Sequence, residues 1–215
     1  NGVPLGFANV VRRGDIGLVA ASGTGLQEVT CRIHNLGGGI SQALGTGGRD
    51  LKEEIGGITM LQGLAALAAD PGTRVIVLIS KPPAPAIARR IEDAAAAAGK
   101  PVVIHFLGAT QQRWPAGLFA AASLRHTADV AVALARGEAA PDVITNTNTA
   151  PAAATAAVDK LVSAMAPTQK AVRALFTGGT FCYEAQLAFI ANGLAFRSNT
   201  PAHGAEPFEG GHAGP

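Results

Sequence analysis

The strongest constraint on this chain lies between residues 74 and 106. Arg74-Val-Ile-Val-Leu-Ile-Ser80 is apolar without alternation, Lys81-Pro-Pro-Ala-Pro85 interrupts it, an alanine-rich stretch runs to Gly99, and Lys100-Pro101 leads into a second apolar run, Val102-Val-Ile-His-Phe106. A strand with one wet face alternates polar and apolar residues, so unbroken apolar runs mark strands covered on both faces. Proline before the helical stretch and glycine after it are the ordinary punctuation of helix ends. The unit therefore reads strand, helix, strand, with the strands parallel and joined by a crossover.

The same reading extends along the chain. Strands are expected at 16–20, 40–44, 75–79 and 102–106, and helices at 25–35, 55–69, 85–98 and 125–136. This predicts an α/β, flavodoxin-like doubly wound parallel sheet over residues 1–140. Residues 141–151 are polar and turn-rich and read as a linker. Residues 152–215 read as the beginning of a second α/β domain, with a helix at 152–165, a strand at 172–176 and a helix at 181–192. An internal repeat supports this: Gly23, Thr24, Glu28 and Gly37 recur as Gly179, Thr180, Glu184 and Gly193 at a constant spacing of 156. The second stretch has room for one strand and helix, so its sheet would be completed by residues outside it or by another chain. The chain opens on Asn1 without methionine and is expected to be a piece of a longer protein.

Composition excludes several classes. With 48% hydrophobic and 15% charged residues over 215 positions, the chain can bury a sizeable core and is not disordered. Seventeen basic residues against 15 acidic ones, no basic run longer than a pair and 5% aromatics leave neither a phosphate-backbone footprint nor a base-stacking platform. Nucleic acid is therefore not an expected partner. No apolar stretch approaches the ~20 residues of a membrane helix, so a soluble, cytoplasmic protein without a membrane partner is expected. Cys31 and Cys182 lack a C-x-x-C partner and are expected to be buried free thiols. His34 and His126 have no second ligand at metal spacing, and His105 sits in an apolar strand, so no metal site is expected. Ser22 has no histidine or acid at a spacing that would make it a triad nucleophile.

Two strand-to-helix loops carry the chemistry. Ser22-Gly23-Thr24-Gly25 and Gly178-Gly179-Thr180 each place glycine and threonine where a strand enters a helix. Glycine admits a ligand close to the backbone, and the first free N–H groups and the helix dipole favour an anion. Both loops are candidate phosphate cradles. The structural alternative is that Thr24 caps its helix, with Gln27 completing a capping box. A third loop, Gly45-Thr46-Gly47-Gly48-Arg49-Asp50, should lie on the same carboxyl edge, where Gly47 and Gly48 could approach a ligand and Arg49 could clamp an anion. Lys81 should lie beside the first loop if the strand order is 2-1-3-4. Arg49 and Lys81 are the candidate catalytic cations. Glu28 and Glu184, one turn into their helices, suit the dipole without further function.

The runs Ile16-Gly-Leu-Val-Ala-Ala-Ser-Gly-Thr24, Gly45-Thr-Gly-Gly48 and Lys100-Pro-Val-Val103 resemble the ligase domain of the succinyl-CoA synthetase α subunit. Asn1-Gly-Val-Pro-Leu-Gly-Phe-Ala-Asn9, Leu36-Gly-Gly-Gly-Ile-Ser-Gln42, Gly47-Gly-Arg-Asp-Leu51 and Leu175-Phe-Thr-Gly-Gly-Thr-Phe-Cys-Tyr-Glu-Ala185 resemble the FdrA family of acyl-CoA-synthetase-like proteins. The resemblance implies a CoA-binding domain before Asn1, through which CoA would act, and a second ligase-type domain from Val172 onward. It also implies facing helix N-termini at the two loops, which in the synthetases hold a phosphorylated histidine. Two departures follow: Arg113-Trp-Pro-Ala-Gly-Leu-Phe-Ala-Ala121 has no histidine where the synthetases have Gly-His-Ala-Gly, and Ser80-Lys81-Pro82 stands where they have glutamate. Gly-His-Ala-Gly does occur at Gly211–Gly214, outside that context. The resemblance thus implies a subunit transferring a carbamoyl or acyl group to or from phosphate, as in oxamate carbamoyl transfer during allantoin breakdown. Its partners would be a small phosphorylated substrate and other subunits or a second copy. An ADP- or GDP-forming acid–thiol ligase and a non-catalytic assembly subunit are the competing readings.

Overall fold

A computed structural model describes residues 9–109, 114–142, 152–169, 171–202 and 205–208. Strand β1 (Arg13–Ala20), helix α1 (Gly23–Asn35), β2 (Ile40–Gly45), α2 (Ile58–Ala69), β3 (Val75–Ser80), α3 (Pro85–Ala96), β4 (Val102–Phe106), β5 (Leu118–Ala120) and α4 (Leu124–Arg136) follow in order. The strands form one parallel sheet in the order β2-β1-β3-β4-β5, the flavodoxin-like arrangement. The expected doubly wound α/β fold is what the chain adopts.

Alternate residues of the inner strands enter two separate cores. Ile16, Leu18 and Ala20 of β1, with Val77 and Ile79 of β3, pack under Leu26, Val29 and Ile33 of α1 and Ala128, Ala131 and Val132 of α4. Val19, Ile76 and Leu78 face the other way, onto Met60, Leu64 and Leu67 of α2 and Ile87 and Ile91 of α3. This two-sided burial explains the absence of alternation in the strand sequences.

Three differences from expectation have local causes. Helix α2 starts at Ile58 because Gly56 and Gly57 both take positive φ, breaking the helical path that Ile55 would otherwise begin. Its first amides are then met by a residue well upstream: Asp50 accepts from the N–H groups of Thr59 at 2.9 Å and Met60 at 2.8 Å. The three-residue β5 has too short an apolar run to register in sequence. The third difference concerns 172–176, which is not a strand: no strand lies beside it among the described residues, and Val172 and Leu175 are 81% and 99% exposed.

Beyond the sheet come α5 (Ala152–Ser163), α6 (Gly179–Ala191), β6 (Arg197–Ser198) and β7 (Glu206–Pro207). The proposed linker falls largely outside the described residues. Helix α6 packs on the first core through buried Tyr183 and partly buried Phe181 and Leu187. The segment after it folds back because Gln186 accepts from Ala202 N–H at 2.7 Å and donates to the Thr200 carbonyl at 3.2 Å. No helix among the described residues is long and apolar enough to cross a membrane. Both cysteines are free and half-buried rather than fully buried.

Asp50→Ala leaves two amides at the start of α2 without their acceptor and is expected to cost about 1–2 kcal/mol, read as a lower urea midpoint.

Candidate active site

The strand order brings the two glycine-threonine loops together at the carboxyl edge of the sheet. Ser22, and not Thr24, is the N-cap of α1: its Oγ accepts from Gly25 N–H at 3.1 Å. The same hydroxyl shares a 2.5 Å hydrogen bond with Thr180 Oγ1, in the first turn of α6. Both residues are buried. Gly178 caps α6 without a side chain because Thr24 occupies that space: a Cβ there would stand 1.9 Å from Thr24 Oγ1. The N-termini of α1 and α6 thus face one another across a floor of two hydroxyls.

Around that floor lie exposed donors. Gly23 and Gly179 are exposed, and no hydrogen bond within the described residues uses the amides of Gly23, Thr24, Gly179 or Thr180. First-turn amides have no intrahelical partner, so these four are left without one among the described residues. Lys81, after β3, reaches the cluster: a Cβ on Gly179 would lie 3.2 Å from its Nζ, and the ammonium sits 5.7 Å from the centroid of the Tyr183 ring. Tyr183 was not apparent as a site residue, although its place three residues after Thr180 puts it on the same turn of helix. Ser22, Gly23, Thr24, Gly25, Gly178, Gly179, Thr180 and Lys81 are therefore gathered in one place.

Gly47, Gly48 and Arg49 are not. They lie on the open loop beyond edge strand β2, exposed, with nothing near the Cβ positions of either glycine and no hydrogen bond or ion pair tying Arg49 to the cluster. The neighbouring Asp50 is the anchored residue of that loop, by its bonds to α2.

Two acids and a histidine lie on the neighbouring elements α1, α6 and β4. Glu28 is paired with Arg32 along α1. Glu184 of α6 accepts from Leu124 N–H, at the start of α4, at 3.4 Å. Burial raises its pKa above the usual glutamate value, the Leu124 amide opposes that, and the nearby Glu28 charge adds to it. His105, buried in β4, faces the Ala121 carbonyl with Nδ1 at 2.8 Å, while its Nε2 has no partner among the described residues. Burial holds its pKa below 6.5. The expectation of a core histidine is met. His34 and His126 are engaged as well, by Arg12 N–H and by Ala122 N–H with the Pro141 carbonyl respectively. No group of three metal-ligating side chains occurs among the described residues.

With this geometry in view, comparison with known proteins adds a domain match. Residues 11–108 match the CoA binding domain. The match spans β1 to β4 and includes the Ser22 loop and Lys81, so a CoA-binding match lies within this chain itself. Over 191 residues the chain is 46% identical to the uncharacterized protein YahF of Escherichia coli strain K12, covering 88% of this chain and 36% of that protein. The chain thus spans about a third of the length of its curated relative. Among solved structures, the apo form of the Ca. Korarchaeum cryptofilum dinucleotide forming acetyl-coenzyme A synthetase 1 superposes with a TM-score of 0.44 at 18% identity, over 59% of this chain and 31% of that one. Its complex with phosphate and ADP gives 0.37 at 20% identity, over 62% and 25% of the respective chains.

The buried histidine makes stability depend on pH. A folded pKa below the unfolded value means that the unfolded chain binds the proton more readily, so stability is full above about pH 6.5 and falls as pH drops below it. Glu184 acts with the opposite sign, its raised pKa favouring the folded chain at lower pH. The comparison with His105→Leu isolates the histidine: between pH 7.5 and 5.0 the variant's urea midpoint should fall less than that of the parent chain.

Proposed function

We propose that the facing N-termini of α1 and α6 bind the phosphate of an acyl phosphate, as the phosphoryl-handling part of an acyl-CoA-ligase-type protein. The observation that carries this is selective capping. Asp50 occupies the N-terminus of α2, Ser123 and Glu184 occupy that of α4, and Pro85 removes an amide from α3. Ser22 caps α1 only through Gly25, and the amides of Gly23, Thr24, Gly179 and Thr180 are left together, beside Lys81. One helix terminus at a surface is worth only about 0.3–1 kcal/mol to an anion. Two opposed termini with directed N–H groups and an ammonium make a phosphate site, since hydrogen bonds to charged groups contribute about 1.5–3 kcal/mol each.

Such a site serves group transfer. As an acceptor attacks the acyl carbon, the C–O bond to phosphate breaks and phosphate leaves with the electron pair. Donors already aimed at the phosphate oxygens stabilise the charge that grows there. Among the described residues, His34, His105 and His126 have no hydrogen bond to the cluster, and residues 113–121 carry no histidine where the synthetases have one, which favours a substrate phosphate over one carried on the protein. The CoA binding match supports CoA as a ligand of the same sheet edge. Bound CoA would supply a thiol acceptor for the acyl group. The resemblance to the FdrA family narrows the acyl group to carbamoyl, which makes carbamoyl phosphate the first ligand to test.

Calorimetric titration with carbamoyl phosphate should show saturable binding. Lys81→Met and Thr180→Ala should each weaken it about tenfold or more, equivalent to about 1.4 kcal/mol, while Arg49→Met should change it less than threefold. Equal loss from all three substitutions, or none from any, would contradict the placement.

A further inference from the structure

The ammonium of Lys81 stands where its own charge is disfavoured. It lies beside Gly179, at the positive end of α6, and the like-charged end of α1 meets α6 at the clasp formed by Ser22 and Thr180. A lysine head on a flexible four-carbon stem is strongly hydrated and would otherwise swing into water. Among the described residues the ammonium has no hydrogen bond and no ion pair to prevent this.

What holds it is a fixed backbone at one end and a ring at the other. Ser80 Oγ donates to the Lys81 carbonyl at 2.6 Å, and the Ser80 carbonyl accepts from Leu107 N–H at 2.8 Å. Pro82 disfavours helical backbone at Lys81. At the far end, Nζ lies 5.7 Å from the centroid of the Tyr183 ring, whose negative face attracts an ammonium at that range. The ring itself has little freedom, since Tyr183 is 8% exposed and belongs to the first core. Gly108, just beyond β4, takes φ +76°, and a Cβ there would lie 3.2 Å from Leu187 Cδ2 and 3.6 Å from Tyr183 Cε1. Helix α6 is thus seated against backbone that carries no side chain. The Tyr183 hydroxyl makes no hydrogen bond among the described residues, which leaves the ring as the working part.

We propose that Tyr183 is a positioning residue: its ring holds the Lys81 ammonium beside the N-terminus of α6, and its hydroxyl takes no part. The ring offers the cation a negative surface while no anion is bound, so the lysine is already gathered when one arrives. Ordering a long side chain before binding removes an entropic cost from the binding step and raises affinity. That benefit rests on the phosphate reading; the placement of Lys81 by the ring does not.

Two measurements test this. In proton NMR of the chain without phosphate, the Hε resonances of Lys81 should lie upfield of those of the other lysines, as a position over a ring face requires. Tyr183→Phe should keep that shift and Tyr183→Leu should abolish it. In calorimetric titration with inorganic phosphate, Tyr183→Phe should bind as the parent chain does and Tyr183→Leu about threefold more weakly. Added to Lys81→Met, Tyr183→Leu should cause no further loss, because its effect passes through the lysine. An unshifted Lys81 in the parent chain would overturn the proposal. Equal weakening by Tyr183→Leu with and without Lys81 would overturn it too, since the ring would then serve only to seat α6. An upfield Lys81 in a chain that binds no phosphate would sustain the placement and remove only the phosphate reading.

Discussion

Two helix N-termini face each other in this molecule, and that is electrostatically costly. Each carries the equivalent of roughly half a positive charge, and Lys81 adds a full one beside them. The opposition is held by what surrounds it. Ser22 and Thr180 share a buried hydroxyl bond, and Tyr183 and Leu187 dock α6 onto the apolar surface of the first core. The apolar packing and the hydroxyl bond offset a repulsion that an anion would turn into attraction. The phosphate proposed above would supply the negative charge that this arrangement lacks.

Other helix N-termini of the fold are met by carboxylates of the chain itself. Asp50 reaches past a turn to satisfy α2, and Glu184 crosses from α6 to satisfy α4. A carboxylate at the clasp would have been equally available to the chain, yet Gly23, Thr24, Gly179 and Thr180 fill those positions. Gly178 is required there for a second reason, since any side chain would collide with Thr24.

Much of this was legible in the sequence because it is local. The unit from Arg74 to Phe106 shows its apolar strands and its bounding proline and glycine directly, and the two loops declare themselves by repetition. What the sequence obscured depends on tertiary placement. The cap of α2 lies outside any local capping spacing, because the helix is preceded by two glycines at positive φ. Lys81 joins the cluster only because β3 lies beside β1, and Tyr183 matters only because α6 turns back onto the first core. Residues 172–176 have the composition of a buried strand, but composition cannot provide the neighbours that make one. Arg49 shares the sheet edge in sequence order, yet β2 is an edge strand, and no hydrogen bond or ion pair among the described residues ties Arg49 to the clasp.

The most direct test of the central claim is a backbone amide NMR titration of the chain with inorganic phosphate. If the free first-turn amides of α1 and α6 form an anion site, those of Gly23, Thr24, Gly179 and Thr180 will show the largest, saturable shifts, while Thr59 and Met60, already held by Asp50, will not move. Shifts spread evenly over the exposed surface, or absent from those four amides, would contradict it.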